Sequence, residues 1–472
     1  MIKGSYPLIW VLMVISGVSW SQNKQLLFGF GDIPQSLMQN PGQRVEFERH
    51  FGIPFFSQIH LNGGSSGLSM YDVFANDSQE DINSRIGRLI FELSPDDFFT
   101  ATQQLEVISV GWRNASDWYL SAGVYQELDA IVYYPKDLAI LAWEGNQPYL
   151  DRPFDLGQVS ALADLSTVYH FGFNKQINKR LIVGGRAKLY SGVMNLRSTR
   201  NRGTLTTRLS QDGEQNIYQH ELTDVDVTVH TAGITDLDEG SVPAKLLGRA
   251  IFSGNMGLGV DLGLTYELTQ RIDLAASVID LGAVRYGRNI ETRQARGTYI
   301  LEGIELLFPP LADGEPAPPY YDDLEDAIEE AIPIDTLTNA YLHWRPVKAN
   351  LALSYGLGQR TGNSGECDCL NMDGGSGHAS MIGFQWFSMA RPKRWQHAAT
   401  LFYYRRIWDT FSLKATFTAD SYSNTNLGLG FAGTIGRFQL YALADNVLRY
   451  GNLAKAKSVS LQLGFNLKID QE

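Results

Sequence analysis

The chain of 472 residues carries a formal net charge of −12, and this acidic balance argues against a general nucleic-acid-binding protein, which would need a basic surface. The hydrophobic share of 44% and the mean hydropathy of −0.16 argue against a helical membrane protein, whereas the 46 glycines and the aromatic share of 11% favour a β-rich protein with many tight turns. Only two cysteines occur, so the chain is not a disulfide-stapled scaffold.

The first predicted element is a cleaved signal peptide over residues 1–21. Lys3 supplies the positive start, the apolar run at 7–18 is too short to span a membrane, and Ser19 and Ser21 are small residues before the cut. A buried N-terminal helix is the alternative, which suits this order of residues less well. After residue 21 the sequence has no run of about 18 or more apolar residues, so no transmembrane helix is predicted. The exported protein is therefore either a soluble β protein or an outer-membrane β-barrel.

Three segments have helical rather than strand periodicity. The region 22–103 has little regular alternation apart from Gly52–His60, and the apolar residues of Glu80–Leu93 recur at helical spacing. A short helix is predicted near 136–145, and an acidic amphipathic helix at 320–334. The acidic helix is a candidate for binding cations or a basic partner, but a solvated loop helix is favoured. All three helices are predicted to be insertions in loops or in a plug.

Strand periodicity dominates the rest of the chain and is clearest in GNMGLGVDLGLTYELTQRIDLAASV, residues 254–278. Apolar residues from Met256 to Leu268 fall on every second position, and the pattern restarts at Ile272 after a short turn. A period of two puts alternate side chains on opposite faces of a strand, so one face is apolar and the other small or charged. Further strands are predicted near residues 169–174, 181–193, 349–357, 411–418, 427–442 and 458–469.

The length and spacing of these strands favour a membrane barrel. A strand of about 13 residues at ~3.4 Å each covers roughly 44 Å, which is long for a globular sheet. Short turns alternate with long irregular segments, as in outer-membrane barrels, and a sheet in a membrane must close. A soluble sandwich or propeller is the alternative, but no repeat of about 40–50 residues indicates a propeller. We predict an all-β fold: a closed antiparallel transmembrane β-barrel of about 14 strands over 104–472, short helices in its loops and an N-terminal plug-like segment within 22–103.

Charged residues on the polar faces of the strands are the candidate lumen residues. A charge on the lipid face at the membrane midplane costs about 2–4 kcal/mol, so these side chains are expected to face inward. Pairing with one another is favoured over contact with a ligand. The candidates are Arg186, Lys188, Asp261, Glu267 and Lys468.

The stretch GECDCLNMDGGSGHAS contains the only candidate metal ligands, Cys367, Cys369 and His378. A structural zinc site needs four ligands, and only three nitrogen or sulfur ligands lie near. The nearby oxygen ligands do not match the spacing of a calcium loop. A flexible loop with a local disulfide is the favoured alternative, and we expect no cofactor.

The sequence also contains one basic turn, and it contains no recognisable catalytic motif. Arg391 to Trp395, in ARPKRW, is a candidate contact for lipopolysaccharide phosphates with an aromatic anchor, and an ordinary charged turn is equally favoured. No metalloprotease, nucleophile-elbow, phosphate-loop or dinucleotide motif occurs in a suitable context, so we predict no enzyme.

Several motifs carry a resemblance to a known family. They are Asn40-Pro41-Gly42, DLAILAWEGNQPYLDRPFDLG (137–157), YHFGFNKQINKRLIVGGRAKLYSGVMNL (169–196) and NLGLGFAGTIGRFQLYALADNVL (426–448). Together they resemble an uncharacterised outer-membrane β-barrel family of Bacteroidota, a domain of unknown function. The wider group is similar to long-chain fatty-acid transporter barrels and to barrel subunits of the type IX secretion machinery. The glycine-rich insert at Cys367 departs from the short turn expected there, and the family has no catalytic motif to transfer.

The resemblance and the loop helices lead to two function hypotheses. The first is passage or capture of a small, hydrophobic solute across the bacterial outer membrane. The second is a non-transporting barrel subunit that presents its loops, such as 313–335, to a secretion or envelope complex. The expected partners are outer-membrane lipid and lipopolysaccharide, with a hydrophobic small molecule or envelope proteins in addition, and no nucleic acid.

Overall fold

A computed structural model describes residues 24–75, 80–210, 218–235, 242–301, 320–362, 375–407 and 410–470. The predicted signal peptide, 1–21, lies outside the described residues, as do Cys367 and Cys369. No described helix is long and apolar enough to cross a membrane.

The described residues form strands that we number in chain order. The strands are β1 (Phe47–Gly52), β2 (Ile59–Ser65), β3 (Phe98–Arg113), β4 (Trp118–Tyr133), β5 (Pro153–Asp155), β6 (Ala161–Asn178), β7 (Leu181–Ser198), β8 (Arg202–Leu209), β9 (Tyr218–Ala232), β10 (Met256–Thr269), β11 (Ile272–Tyr286), β12 (Ile290–Leu301), β13 (Ile334–Leu337), β14 (Tyr341–Trp344), β15 (Lys348–Gly362), β16 (Gly375–Met389), β17 (Gln396–Ile407), β18 (Phe411–Ala419), β19 (Asn426–Ile435), β20 (Phe438–Asp445) and β21 (Ser458–Asp470). The helices are α1 (Met70–Phe74), α2 (Ile82–Glu92), α3 (Lys136–Glu144), α4 (Val242–Ile251) and α5 (Tyr320–Ala331).

Antiparallel pairing closes the strands into a ring. From β3 the neighbours are β4, β6, β7, β10, β11, β15 and then β16 to β21 in turn. The last strand, β21, pairs with β1 and β2, which both pair with β3. Because β1 and β2 share one wall position and β14 and β15 share another, the wall has 14 strands, which confirms the predicted fold class.

The two faces of the wall have opposite chemistry, as β10 shows. Leu258 is 71% exposed on the outside, with Val260 and Leu262 on the same face. Asp261 is fully buried on the inside, together with Glu267. An apolar outer face tolerates lipid, whereas the closed ring leaves no unpaired edge in the membrane.

Loop length distinguishes the two ends of the barrel. At one end, the short-turn end, β3 joins β4, β6 joins β7 and β10 joins β11 through short connections. The described helices α2, α3 and α4 lie in the connections at the other end, the long-loop end. Tyr355 of β15 pairs with Ile272, beside a short turn, and β15 continues from there toward β16. β15 therefore ends, and β16 begins, at the short-turn end, and the residues between them lie outside the described part of the chain.

At the long-loop end, β8, β9, β12 and β13 form a sheet that we call the rim sheet. Residues 230–232 of β9 pair with 195–197 of β7, so the rim sheet continues the wall beyond the barrel. Neither the rim sheet nor α4 was distinguished in the sequence as a separate unit.

The wall begins earlier than the boundary expected near residue 104. The prediction of one strand over Gly52–His60 is wrong, because residues 53–58 are not in a strand. β1 ends at Gly52 and β2 starts at Ile59. Phe55 in this break has a φ of 64°, which an extended strand does not allow. The predicted helices are present as α2, α3 and α5, and Asp81 caps α2 by accepting hydrogen bonds from the amides of Asn83 and Ser84.

Candidate functional site

Residues 24–46, which we call the plug, lie inside the barrel. Their backbone and side chains bond to β6, β10, β11, β16, β17, β18, β20 and β21, which surround the lumen. Leu26, Leu27, Phe30 and Ile33 are almost completely buried. A segment that touches strands on every side of the ring occupies the lumen.

The Asn40-Pro41-Gly42 motif anchors the plug to two glycines of the wall. A Cβ on Gly184 would lie 2.0 Å from the Pro41 carbonyl oxygen, and a Cβ on Gly263 would lie 2.1 Å from Oδ1 of Asn40. Only glycine permits backbone to approach this closely. The Asn40 side chain also accepts a hydrogen bond from the Gly42 amide at 2.9 Å. The motif is thus a turn that fits a glycine-lined groove on β7 and β10.

Hydrogen bonds from the wall fix the same turn. The Asn174 side-chain amide donates to the carbonyl oxygens of Pro41 and Gln43, at 2.7 and 2.8 Å. Asn40 donates to the Leu264 carbonyl at 3.3 Å, and the Ser277 hydroxyl donates to the Gln39 carbonyl at 2.6 Å. Each bond is worth about 1 kcal/mol, so hydrogen bonds hold the turn against the wall in addition to its fit in the glycine groove.

An apolar recess on the inner face of β17, β19 and β20 receives the first part of the plug. Gly428 and Gly430 face inward there, and a Cβ on them would lie 3.1 Å from Leu26 Cδ1 and 3.2 Å from Phe30 Cε1, respectively. The absence of side chains at the two glycines leaves room for the plug residues and for Thr416, Asp445 and Leu443 of the wall, which a Cβ would meet at 2.4, 2.7 and 2.8 Å. The recess is lined by Tyr404, Ala432, Tyr441 and Leu443.

Polar contacts fasten the plug near the short-turn end. The Asp32 carboxylate accepts hydrogen bonds from the Tyr404 hydroxyl at 2.5 Å and from the Arg406 guanidinium at 2.9 Å. Arg406 also contacts Glu46 at 2.7 Å, so one side chain links the middle of the plug to its last residue. Because these groups are partly buried, their ion pairs are screened less than surface pairs.

A buried charge cluster lies in the wall beside the plug. Lys188 Nζ is 2.8 Å from the Asp261 carboxylate and 2.6 Å from that of Asp280. Lys348 Nζ is 2.8 Å from Asp280 and 3.1 Å from Glu127. As many cations as carboxylates meet here, and the members are Arg186, Lys188, Arg345, Lys348, Glu127, Asp164, Asp261 and Asp280. Lys24 of the plug interacts electrostatically with Glu127 and Asp280.

A β-bulge brings two of these carboxylates together. The register of β10 and β11 shifts between Val260 and Leu262, and Asp280 adopts a φ of 63°. The Asp261 carboxylate accepts a hydrogen bond from the Asp280 amide at 2.8 Å. Bulges re-aim side chains near functional sites, and here the bulge aims the Asp280 carboxylate at Lys188.

All five predicted lumen residues are buried in the structure. Arg186, Lys188 and Asp261 lie together, with Arg186 Nη1 3.6 Å from Asp261. Glu267 lies apart from them, 3.9 Å from Arg44 of the plug, and Lys468 lies 5.4 Å above the ring of Phe47. The sequence reasoning missed Glu127, Asp164, Asp280, Arg345 and Lys348.

The remaining candidate sites are less coherent. His378 is buried, but Cys367 and Cys369 are outside the described residues, and the described part of the chain holds no group of three metal-ligating side chains. In the basic turn, Arg391 pairs with Asp129 at 2.6 Å and Arg394 pairs with Asp96 at 3.2 Å.

The rest of that turn is also engaged. Lys393 donates to the Pro95 carbonyl at 2.8 Å, whereas Trp395 is half exposed. The cations of this turn therefore serve the protein's own loops.

Comparisons with known proteins identify a family and distant structural matches. The model of a family of unknown function, DUF5723, matches residues 41–445. No curated protein matches the chain. Among solved structures, the Pseudomonas putida toluene transporter TodX is 9% identical, with a TM-score of 0.39 over 96% of this chain and 100% of that one. A Pseudomonas aeruginosa FadL homologue is 9% identical, with a TM-score of 0.43 over 96% and 98%. The Ralstonia pickettii toluene transporter TbuX is 11% identical, with a TM-score of 0.39 over 96% and 100%.

Proposed function

We propose that this chain, which belongs to the DUF5723 family of unknown function, is an outer-membrane barrel of a Bacteroidota bacterium that captures or passes a small hydrophobic solute. In this proposal the long-loop end faces the outside, and the plug closes the path in the described state. No catalytic role is proposed. The observation that carries the proposal is the apolar recess, because conduction of water and ions does not require an apolar surface inside the lumen.

The plug binds in the recess through burial of apolar side chains, and a hydrophobic solute would bind there in the same way. Burial of the Leu26 and Phe30 side chains stabilises the docked plug by roughly 1.5–3 kcal/mol each. An apolar solute of similar size recovers that free energy when it displaces them from Gly428 and Gly430. Displacement of the first part of the plug therefore exchanges one apolar occupant for another.

The distribution of contacts suggests which part of the plug moves. The Asn40-Pro41-Gly42 turn is packed backbone to backbone against glycines, so in our proposal it stays in place. Residues 24–33 are held by the apolar recess, by the Asp32 ion pair near the short-turn end, and by hydrogen bonds that Gln385 donates to Gln25 and Lys414 donates to the Phe28 carbonyl. In our proposal this part swings out of the recess, and the turn acts as its hinge.

Uptake by proteoliposomes tests the proposal. The variant L26A/F30A removes two of the four apolar plug side chains from the recess and leaves the Asp32 side chain unchanged. We expect it to admit a small aromatic hydrocarbon at least several-fold faster than the wild-type chain. The matched control is L37A, which removes a buried side chain of the same plug that packs on Phe47 and Tyr119 instead.

Two results would count against solute passage. Equal uptake by the wild type, L26A/F30A and empty liposomes excludes a path through the recess. An equal increase with L37A means that loosening of the plug, rather than the recess, controls uptake. Uptake of a small hydrophilic sugar separates these cases, because our proposal predicts no matching increase for it.

The second candidate function is that of a non-transporting subunit of an envelope complex, such as a type IX-like assembly. The occluded lumen favours it, since a plug bonded on every side is also what a purely structural barrel would have. Helix α4 supplies an exposed apolar surface near the wall: Leu247, Ile251 and Phe252 are exposed, and Phe252 stacks on Tyr169 at 5.3 Å. Purification from gently solubilised membranes separates the two functions, because only a subunit retains a stoichiometric protein partner.

A further inference from the structure

A cleft rich in arginine lies on the rim sheet. Its volume is about 450 Å³, and Arg197, Arg200, Arg202 and Arg296 line it. We propose that this cleft is a binding site for a ligand that carries phosphate groups and arrives from the outside. The site is separate from the apolar recess, so its failure would leave the proposed function standing.

The cleft opens on the face of the rim sheet that continues the inner face of the wall. His230, which lines the cleft, lies 4.8 Å from Tyr341, and Tyr341 stacks on Tyr286 at 5.3 Å. The Tyr286 hydroxyl in turn donates to Asp164 of the charge cluster, at 2.5 Å. A ligand in the cleft therefore lies in the vestibule above the lumen and not on the lipid-facing side.

Among the described residues, carboxylates do not balance the positive charges of the cleft. Asp226 is the one carboxylate among its described lining residues, and it pairs with Arg296 at 3.0 Å. No carboxylate in the described part of the chain lies within 4.0 Å of Arg197, Arg200 or Arg202. Like charges in one partly enclosed space repel, and a bound anion removes that repulsion.

The donor set favours phosphate over a single carboxylate. A guanidinium group is a planar fork that can bind two phosphate oxygens at once. The cleft has three such groups without a described carboxylate partner, and a single carboxylate has only two oxygens to accept their hydrogen bonds. Neutral groups complete the lining and can bind hydroxyls of an attached sugar or polyol. They are Thr199, Thr228, Thr292, Gln294 and Asn339.

The basic turn at Arg391 is the contrasting case. Its arginines already pair with Asp129 and Asp96, so the turn offers little net charge to an outside anion. Arg197, Arg200 and Arg202, which pair with no carboxylate in the described part of the chain, are therefore the available anion site, rather than the more conspicuous ARPKRW run.

Isothermal titration of the full barrel in micelles at low salt tests the proposal, with inorganic pyrophosphate as the probe. We expect saturable binding by the wild type and a loss of about 10-fold for each arginine removed in R197Q and R200Q. The matched control is R293Q, which removes a cation from the opposite face of β12, where Arg293 pairs with Glu291 at 2.5 Å. R200Q alone suffices if R197Q fails to fold, because Arg200 lies in an exposed turn.

A second titration, with vesicles that contain lipopolysaccharide, identifies the source of the phosphate. Binding of both probes with the same loss in R200Q indicates a lipid headgroup, and binding of pyrophosphate alone indicates a soluble phosphorylated solute. Either result supports the site. Binding of neither probe by the wild type, or wild-type affinity of R200Q for both, would overturn it.

Discussion

The substitution of Gly263 by alanine tests whether the glycine groove holds the plug. The new Cβ would lie 2.1 Å from Oδ1 of Asn40, a side chain held by its hydrogen bond from the Gly42 amide, and 2.9 Å from that amide nitrogen, so the side chain and the backbone of the turn must shift together. Overpacking costs about 1–3 kcal/mol, and displacement of the turn also weakens its bonds to Leu264 and Asn174, at about 1 kcal/mol each. The docked plug should thus lose about 2–4 kcal/mol.

Hydrogen exchange of the plug amides measures this loss. A change of 1.4 kcal/mol is a factor of ten, so exchange in residues 35–44 should accelerate by about 30-fold or more. Gly63→Ala is the matched control, because a Cβ there meets no atom closer than 3.9 Å. Exchange in the Gly263→Ala variant that equals that of the wild type would refute the reasoning that this groove anchors the plug.

Three further predictions concern the cluster, a loop and the terminus. Asp280→Asn leaves Lys188 and Lys348 undercompensated and should cost about 3–5 kcal/mol, seen as a lower midpoint of urea unfolding in micelles. Burial raises the pKa of Asp420, in the β18–β19 loop, to about 6. Since the folded state holds this proton more tightly than the unfolded chain, stability should fall by up to about 3 kcal/mol as pH rises from ~4 to ~6, and Asp420→Asn should remove this slope. N-terminal sequencing of the protein from outer membranes should begin at Gln22, and an intact Met1 would contradict signal cleavage.

The wall was predictable because it obeys one simple rule. Alternation of apolar and small or charged residues separates the outer face from the inner face along the wall strands, so β10 and β21 are readable from the sequence alone. The break between β1 and β2 was not, because Phe55 adopts a turn conformation that no periodicity indicates. The rim sheet was missed for a similar reason, since its strands β8 and β9 carry polar residues on both faces and bury little.

The site was predictable only in part. Asp261 stood out as a charge in an apolar strand, and Lys188 followed from the same alternation. Asp280 lies at a bulge and Arg345 lies between two strands, so neither falls on a regular face that the sequence would reveal. Glycines of NLGLGFAGTIG were recognisable as small inward residues, but their meaning depends on Leu26 and Phe30, which are about 400 residues distant in sequence and adjacent only in the fold.

The central claim is that residues 24–33 occupy the path of a hydrophobic solute. A reversible lock tests it most directly: Leu26→Cys with Gly430→Cys, in a background with Cys367 and Cys369 replaced by serine. Leu26 Cδ2 lies 3.6 Å from the position of a Cβ on residue 430, so the two residues are neighbours, and loss of free thiols on oxidation verifies that the lock has formed before uptake is measured.

Uptake of a small aromatic hydrocarbon by proteoliposomes is measured before and after reduction of the lock. Our proposal predicts no uptake above that of empty liposomes while the lock is oxidised, and uptake equal to that of the cysteine-free chain once it is reduced. Equal uptake in both states would contradict the claim.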